Sequence, residues 1–268
     1  MKKVLLVGSG KMGSALLTNW AKKISHLYEL TVIEPNKDAS TKIRSLVANA
    51  YKKLSEIPKD YDPDIVLFAV KPQIMEAVVP EFKIFTRKAL FISIAAGKKI
   101  SFFENHLGKE AAIIRVMPNI ASSVERGVSV AMASLETKDI HKQLCSDLLG
   151  AVGEIYWLEE EKQIDAATAI SGSGPAYFFL LTECLSSVGE KIGLPSELAN
   201  KLSRATAIGS GELLYQSDVS TENLRTSVTS KGGTTEAALK VLLNENQLET
   251  LVEKAVQKAY QRSKELSS

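Results

Sequence analysis

The 268-residue sequence predicts an α/β domain built on a mostly parallel sheet, followed by an all-α domain, and three observations carry that prediction. Short continuous apolar runs alternate with helical patterns through the first part of the chain, the signature of strand–helix–strand units. The first of these runs passes straight into the glycine-rich Gly8-Ser9-Gly10-Lys11-Met12-Gly13. From Glu160 onward strand signals stop and helical periodicity takes over, which places the domains at 1–159 and 160–268.

Lys3-Val4-Leu5-Leu6-Val7 reads as a central strand buried on both faces. Met12, Leu16, Trp20 and Ile24 then recur at i+4 spacing, so the glycine motif lies between a strand and a helix. In that setting Gly8 permits the tight turn, Gly10 lets the backbone reach a pyrophosphate, and Gly13 lets helix and strand pack closely; the helix N-terminus faces the phosphates. The first domain is therefore of the Rossmann type, with Gly8, Ser9, Gly10, Lys11, Met12 and Gly13 as cofactor-binding candidates. The next strand, Leu30 to Ile33, ends at Glu34, where an acidic residue binds the adenosine ribose hydroxyls. Its charge opposes a 2′-phosphate and leans the cofactor toward NADH, whereas Asn36 and Lys37 just beyond it suit NADPH.

Asp64 to Val70 is the third strong strand and delivers Ala69-Val70-Lys71-Pro72 to the carboxyl edge of the sheet, where ligands of such folds bind. Lys71 there is a candidate for a phosphate or ribose. Leu90 to Ile94 delivers Ala95-Ala96-Gly97, small residues against which a flat ring can lie. Ala112 to Val116 delivers Met117-Pro118-Asn119 to the same edge. Two further strands, Val128 to Ala133 and Glu154 to Leu158, flank a helix near Lys138 to Leu149.

The helical part contains two breaks. An apolar run from about Lys162 to Ile192 is interrupted by Ser171-Gly172-Ser173-Gly174-Pro175-Ala176-Tyr177. Glycine costs about 1 kcal/mol and proline about 3 kcal/mol in a helix interior, so a break with free N–H groups is expected, Pro175 opening a new helix. The second, Thr229-Ser230-Lys231-Gly232-Gly233-Thr234-Thr235-Glu236, precedes a helix for which Gly233 or Thr234 is the N-cap. A cap alone needs only one glycine, and the pair marks an anion site for a substrate carboxylate. In the last segment Leu248, Leu251, Val252, Ala255, Val256 and Ala259 form one apolar stripe, read as a subunit interface.

Basic and acidic residues number 33 and 31, a net charge of +2, which offers no field for nucleic acid or a membrane surface. Cys145 and Cys184 stand far apart without metal-ligand spacing, and His26, His106 and His141 are scattered, so no metal site is read and reduced cytoplasmic thiols are expected. No signal peptide or membrane span is read either.

Taken together, the glycine motif, Ala69-Val70-Lys71-Pro72, Ser93-Ile94-Ala95-Ala96-Gly97, Met117-Pro118-Asn119 and the two helical breaks resemble the pyrroline-5-carboxylate reductases. The resemblance covers nearly the whole chain. It implies hydride transfer from NADPH or NADH to the C=N bond of 1-pyrroline-5-carboxylate, an imine carrying a carboxylate, giving L-proline. It implies a helical dimerisation domain, a dimer whose interface builds the substrate site, and often a decamer. Carried onto this sequence, Ser171, Gly172, Ser230, Gly232, Gly233, Thr234 and Thr235 hold the substrate, with Thr235 bonded to the ring nitrogen and the Gly233 and Thr234 N–H groups on the carboxylate. The family usually has proline where this chain has Lys231, and threonine–proline where it has Ile120-Ala121. Two other readings compete. A β-hydroxy acid dehydrogenase of similar build needs a lysine or comparable acid–base residue in the second domain, and Ser171 to Tyr177 has none. A non-catalytic dinucleotide sensor accounts for the first loop but not for the second anion site.

Overall fold

The computed structural model describes residues 1–47 and 49–267. Among them, eight strands form one sheet in the order β3-β2-β1-β4-β5-β6-β7-β8. They are β1 (Lys2–Val7), β2 (Tyr28–Ile33), β3 (Asn49–Tyr51), β4 (Ile65–Phe68), β5 (Leu90–Ser93), β6 (Ala112–Met117), β7 (Gly127–Ala133) and β8 (Gly153–Trp157). Every pairing is parallel except β6 with β7. β1 pairs with β2 on one side and β4 on the other, so strand order reverses there, and the crevice outside the carboxyl ends of β1 and β4 is the topological switch point.

Alternation along β1 explains its uniform apolarity. Val4 and Leu6 join one buried cluster and Leu5 and Val7 another, one on each face of the sheet. On the first face lie α1 (Lys11–Lys23), through Leu16, Leu17 and Trp20, and α5 (Asp139–Gly150), through Leu144, Cys145, Leu148 and Leu149. Trp20 satisfies its buried indole by donating Nε1–H to the Leu148 carbonyl at 2.7 Å. The other face is covered by Phe82, Phe85, Phe103 and Leu107, the last two from α4 (Ile100–Leu107), with Phe68 and Phe82 edge to face at 5.3 Å.

Between β2 and α4 the chain also forms the short helices α2 (Lys37–Ile43) and α3 (Met75–Val78) and 3₁₀ turns at Pro72–Ile74 and Val79–Phe85. β4 is shorter than the Asp64–Val70 run suggests, because Lys71-Pro72 turns the chain away from the sheet. β3 and the 3₁₀ turns carry no sequence pattern strong enough to announce them.

After β8 come α6 (Gln163–Ala167), a π-helical turn at Thr168–Gly172, α7 (Gly174–Lys191), α8 (Ser196–Gln216), α9 (Thr221–Ser227), α10 (Thr234–Leu243) and α11 (Gln247–Leu266). Two compact units result: Met1–Ser173 together with the chain from Ala259, and Gly174–Lys258. The changeover to helices at Glu160 and the division into units thus fall at different places. α6 stays with the sheet because Ile164 and Asp165 are buried there and Glu161 pairs at 2.9 Å with Arg115, a buried cation on β6.

In the second unit α7 packs on α8, with Gly189 against Ala199, and the two bound a groove of about 500 Å³ lined by Phe179, Glu183, Asn200, Arg204 and Ile208. Its helices expose large apolar side chains: Phe178, Phe179, Leu180 and Leu181 on α7, Ile208, Leu213 and Leu214 on α8 and Leu251 and Val252 on α11 are all exposed. Apolar exposure on this scale marks an interaction site. No helix among the described residues is long and apolar enough to cross a membrane.

Candidate active site

The turn after β1 is built as its glycines demand. Gly8 adopts φ +90°, and a Cβ there would stand 2.6 Å from Val70 Cγ1. Gly13 presses on the carbonyl of Gly8, at 2.6 Å from a would-be Cβ, with Ala69 Cβ at 3.1 Å. Gly10 is the N-cap of α1, and a Cβ there would meet nothing within 4 Å. Gly8 and Gly13 are thus required by the protein's own packing, whereas Gly10 borders open space. The Lys11, Met12 and Gly13 N–H groups begin a helix with no acidic residue in its first turn and no side-chain cap. Such a cradle suits a pyrophosphate. Ser14 Oγ donates to the Ser9 carbonyl at 2.5 Å and shapes the loop from within.

Glu34 is buried at the carboxyl end of β2 and turns toward this loop. One oxygen accepts the Ser9 N–H and the Ser9 hydroxyl, each at 2.8 Å, and the other accepts the Asn36 N–H at 2.9 Å. A carboxylate thus sits beside the dinucleotide loop, placed by three donors. Asn36 is otherwise engaged: its side-chain oxygen caps α2 by accepting from Asp38 and Ala39, so the expected cofactor contact is reduced to its amide NH₂. Lys71 is exposed just beyond the carboxyl end of β4.

At three of the expected positions the chain itself uses the room or the polar groups. The close approach that Gly97 allows, at φ +75°, is taken by the chain itself: a Cβ there would lie 2.3 Å from the Leu266 carbonyl oxygen. Ala95 is buried, and Ala96 remains partly open. Asn119 bridges two segments, donating Nδ2–H to the Ser171 carbonyl at 3.0 Å and accepting the Val128 N–H at 3.1 Å, so its amide braces the loop after β6. The expected gap at Ser171 to Pro175 is closed by the π-turn, in which the Ser173 N–H reaches the Thr168 carbonyl five residues back at 2.9 Å. Adding one residue to the turn accommodates the glycines and proline without leaving that N–H unpaired. Gly172 there lets Met117 Cε approach to 3.1 Å of a would-be Cβ, and Ser171 Oγ donates to the Ala167 carbonyl.

In the second unit, Ser230 to Gly233 forms a turn closed by the Gly233 N–H on the Ser230 carbonyl at 3.0 Å, with Gly232 at φ +74°. Gly233 is the N-cap of α10, and the Gly232 N–H donates to the Glu236 carboxylate at 2.8 Å. Each glycine therefore has its own local task, one the turn and one the cap, so the pair by itself does not imply a ligand. The Gly233 N–H proposed for a carboxylate is spent on Ser230. Thr234 and Thr235 occupy the first turn of α10, and among the described residues neither N–H reaches a backbone carbonyl and the Thr235 hydroxyl makes no hydrogen bond. The Thr234 and Thr235 amides are thus backbone donors left open at the first turn of α10 among the described residues.

Groups with displaced titration lie outside these loops. Burial, with Asp147 beside it, pushes Tyr28 up to about 12, burial likewise pushes Tyr61 up to about 12, and burial raises the Cys145 thiol. What sequence reading missed is the support of the site: Arg115, Glu161, Asp165 and the end of α11. A signal existed in Ala112-Ile113-Ile114-Arg115-Val116, since a lone cation in a strand buried on both faces must have a partner.

A parallel sheet with a glycine cradle at its switch point, an acidic residue at the end of the second strand and a helical second part define a dinucleotide-dependent oxidoreductase. The comparisons with known proteins specify which. A family model described as pyrroline-5-carboxylate reductase dimerisation matches residues 161–266, and one described as NADP oxidoreductase coenzyme F420-dependent matches residues 3–97. The chain is 37% identical to pyrroline-5-carboxylate reductase of Pseudomonas aeruginosa, covering 99% of this chain and 97% of that protein. Among solved structures it resembles a pyrroline-5-carboxylate reductase from Coxiella burnetii, with a TM-score of 0.92, 33% identity and coverage of 99% and 98%. It also resembles pyrroline carboxylate reductase from Plasmodium falciparum with NADP bound, with a TM-score of 0.84, 32% identity and coverage of 100% and 98%. The chain belongs to the pyrroline-5-carboxylate reductase family. It is an NAD(P)H-dependent oxidoreductase with a self-associating helical region.

Proposed function

We propose that this protein reduces 1-pyrroline-5-carboxylate to L-proline, the last step of proline biosynthesis, and that the cradle at Gly10 is the observation that carries the cofactor half of that reading. A bound reduced nicotinamide supplies the hydride for the C=N carbon. The chain's own residues bind and orient. The Lys11 to Gly13 amides at the α1 N-terminus hold the pyrophosphate, and Glu34 meets the ribose while keeping the loop in place through Ser9. The Thr234 and Thr235 N–H groups hold the substrate carboxylate, where the positive end of α10 favours an anion. The Thr235 hydroxyl bonds the ring nitrogen as it becomes an amine. A protonated imine accepts hydride readily, so positioning is the main task of the protein.

The test is spectrophotometric: NADPH or NADH oxidation that depends on added pyrroline-5-carboxylate. Oxidation with a β-hydroxy acid's keto partner, or dinucleotide binding without turnover, overturns the reading. Glu34 sets the cofactor balance. Glu34→Gln, whose amide oxygen still accepts from Ser9, is expected to raise the NADPH-to-NADH ratio of kcat/KM by roughly fivefold, the size of about 1 kcal/mol of charge repulsion near a surface. An unmoved ratio takes Glu34 away from the ribose.

The working unit in this reading is a dimer, assembled further into a decamer, in the cytoplasm. The exposed apolar faces of α7, α8 and α11 support the dimer, and two free cysteines suit a reducing compartment. Light scattering at micromolar concentration is expected to show dimers or larger assemblies only. A dispersed, active monomer refutes it.

A further inference from the structure

The last turns of α11 belong to the first unit, where they meet a buried carboxylate. Asp165 is 8% exposed, and its Oδ1 accepts from Ser263 Oγ at 2.7 Å and from Ser267 Oγ at 3.1 Å. Ser267 directly follows α11 and its N–H still reaches the Ser263 carbonyl four residues back, so both hydroxyls lie on one side of the helix end. Between them, Leu266 brings its carbonyl against Gly97, so closely that a Cβ on Gly97 would stand 2.3 Å from that oxygen. The carbonyls at a helix end have no partner within the helix, and this one lies against the loop after β5.

The same loop is gripped at its other end. Glu161 accepts the Ile100 N–H at the start of α4 at 2.8 Å and holds Arg115 at 2.9 Å, and Arg115 stands opposite Ser93, the last residue of β5. Glu161 and Asp165 lie one turn apart in sequence. One short segment therefore holds both the α4 end of the loop and the helix that abuts Gly97.

We propose that Asp165 is a positioning residue for the Ala95–Gly97 loop, acting through Ser263 and Leu266 of α11 and Ser267 just beyond it to keep that loop in the conformation that receives the dinucleotide. This rests on the sequence reading that Ala95 and Ala96 face the cofactor, with Gly97 serving as the point where Leu266 supports the loop. A loop already ordered costs less to bind against, so loosening the clasp weakens nucleotide binding more than it slows turnover at saturation.

The experiment is titration of the full-length protein with NADPH, followed by quenching of tryptophan fluorescence, with kcat at saturating nucleotide and Tm measured on the same samples. In the double variant Ser263→Ala/Ser267→Ala, loss of two hydrogen bonds is expected to raise the Kd roughly threefold to tenfold. Its kcat should stay within about twofold. Asp165→Asn, whose amide oxygen still accepts both hydroxyls, should keep the unaltered Kd. If the double variant does not fold, Ser267→Ala alone, which removes the longer bond, is read in the same way. A lowered Tm with unchanged Kd overturns the proposal and leaves the clasp as a stability feature. Failure of the unsubstituted protein to bind NADPH or NADH strikes the dinucleotide reading instead.

Discussion

Replacing Gly10 by alanine is expected to weaken dinucleotide binding by roughly tenfold to a hundredfold while leaving the fold as stable as before. The stability half follows from geometry. Gly10 has φ −59°, outside the positive range that demands glycine, and an added Cβ meets nothing within 4 Å. A glycine-to-alanine change at such a position leaves stability unchanged or raises it by about 0.4–1 kcal/mol. The binding half follows from the open space beside the α1 amides: a methyl group there keeps the pyrophosphate at a distance and forfeits charge-assisted hydrogen bonds worth about 1.5–3 kcal/mol. Gly13→Ala is the contrasting variant, because its Cβ would press on the Gly8 carbonyl at 2.6 Å and disturb the loop itself. That variant should lose affinity and Tm together. Calorimetric titration with NADPH beside thermal melts distinguishes the two, and a Gly10→Ala protein with unaltered affinity would remove this cradle from the cofactor site.

Thr235→Ala is expected to lower kcat about threefold to tenfold, the equivalent of an uncharged hydrogen bond of about 0.5–1.5 kcal/mol, and by more if the substrate nitrogen is left unpaired. The contact grows as the imine becomes an amine, so it belongs to the transition state and the effect should fall on kcat and not on cofactor affinity. Thr235→Ser keeps the hydroxyl and should recover most of the rate. Local structure sharpens the comparison. Gly233 caps α10 and the Thr235 side chain makes no cap bond, so a merely structural Thr235 has little to lose. Alanine is the better helix former, and Tm should hold or rise slightly in the alanine variant. A normal kcat in Thr235→Ala would exclude the residue from the chemistry.

The distribution of what the sequence revealed has a physical pattern. The glycine cradle was legible because its requirements are local: a positive φ at Gly8 and contacts at Gly13 that admit no Cβ are conditions of a turn a few residues long. Strands β1, β4, β5 and β6 were legible because burial on both faces leaves continuous apolar runs. The helix carrying Leu248 to Ala259 showed itself through period alone. Assignments to cofactor or substrate were less secure wherever a small or polar residue had two possible users. Gly97 reads equally well as room for a ring and as room for a carbonyl, and only the folded chain shows Leu266 there. Asn119 reads as a ligand from the sequence, and only the folded chain brings Ser171 and Val128 to its two ends.

Local sequence was enough for the strong strands and the helix after the first of them, the glycine turn between these two, the changeover to helices near Glu160 and the family to which they point, since each is set by backbone stereochemistry or by hydrophobic period over short stretches. Tertiary structure alone decided how the polar groups are spent. Glu34 turns inward on Ser9, Glu161 joins Arg115 to the start of α4, and Asp165 takes the hydroxyls of Ser263 and Ser267 from the far end of the chain. A buried charge or amide must find a partner, but which one it finds depends on chain segments many residues apart, and no local pattern records that choice.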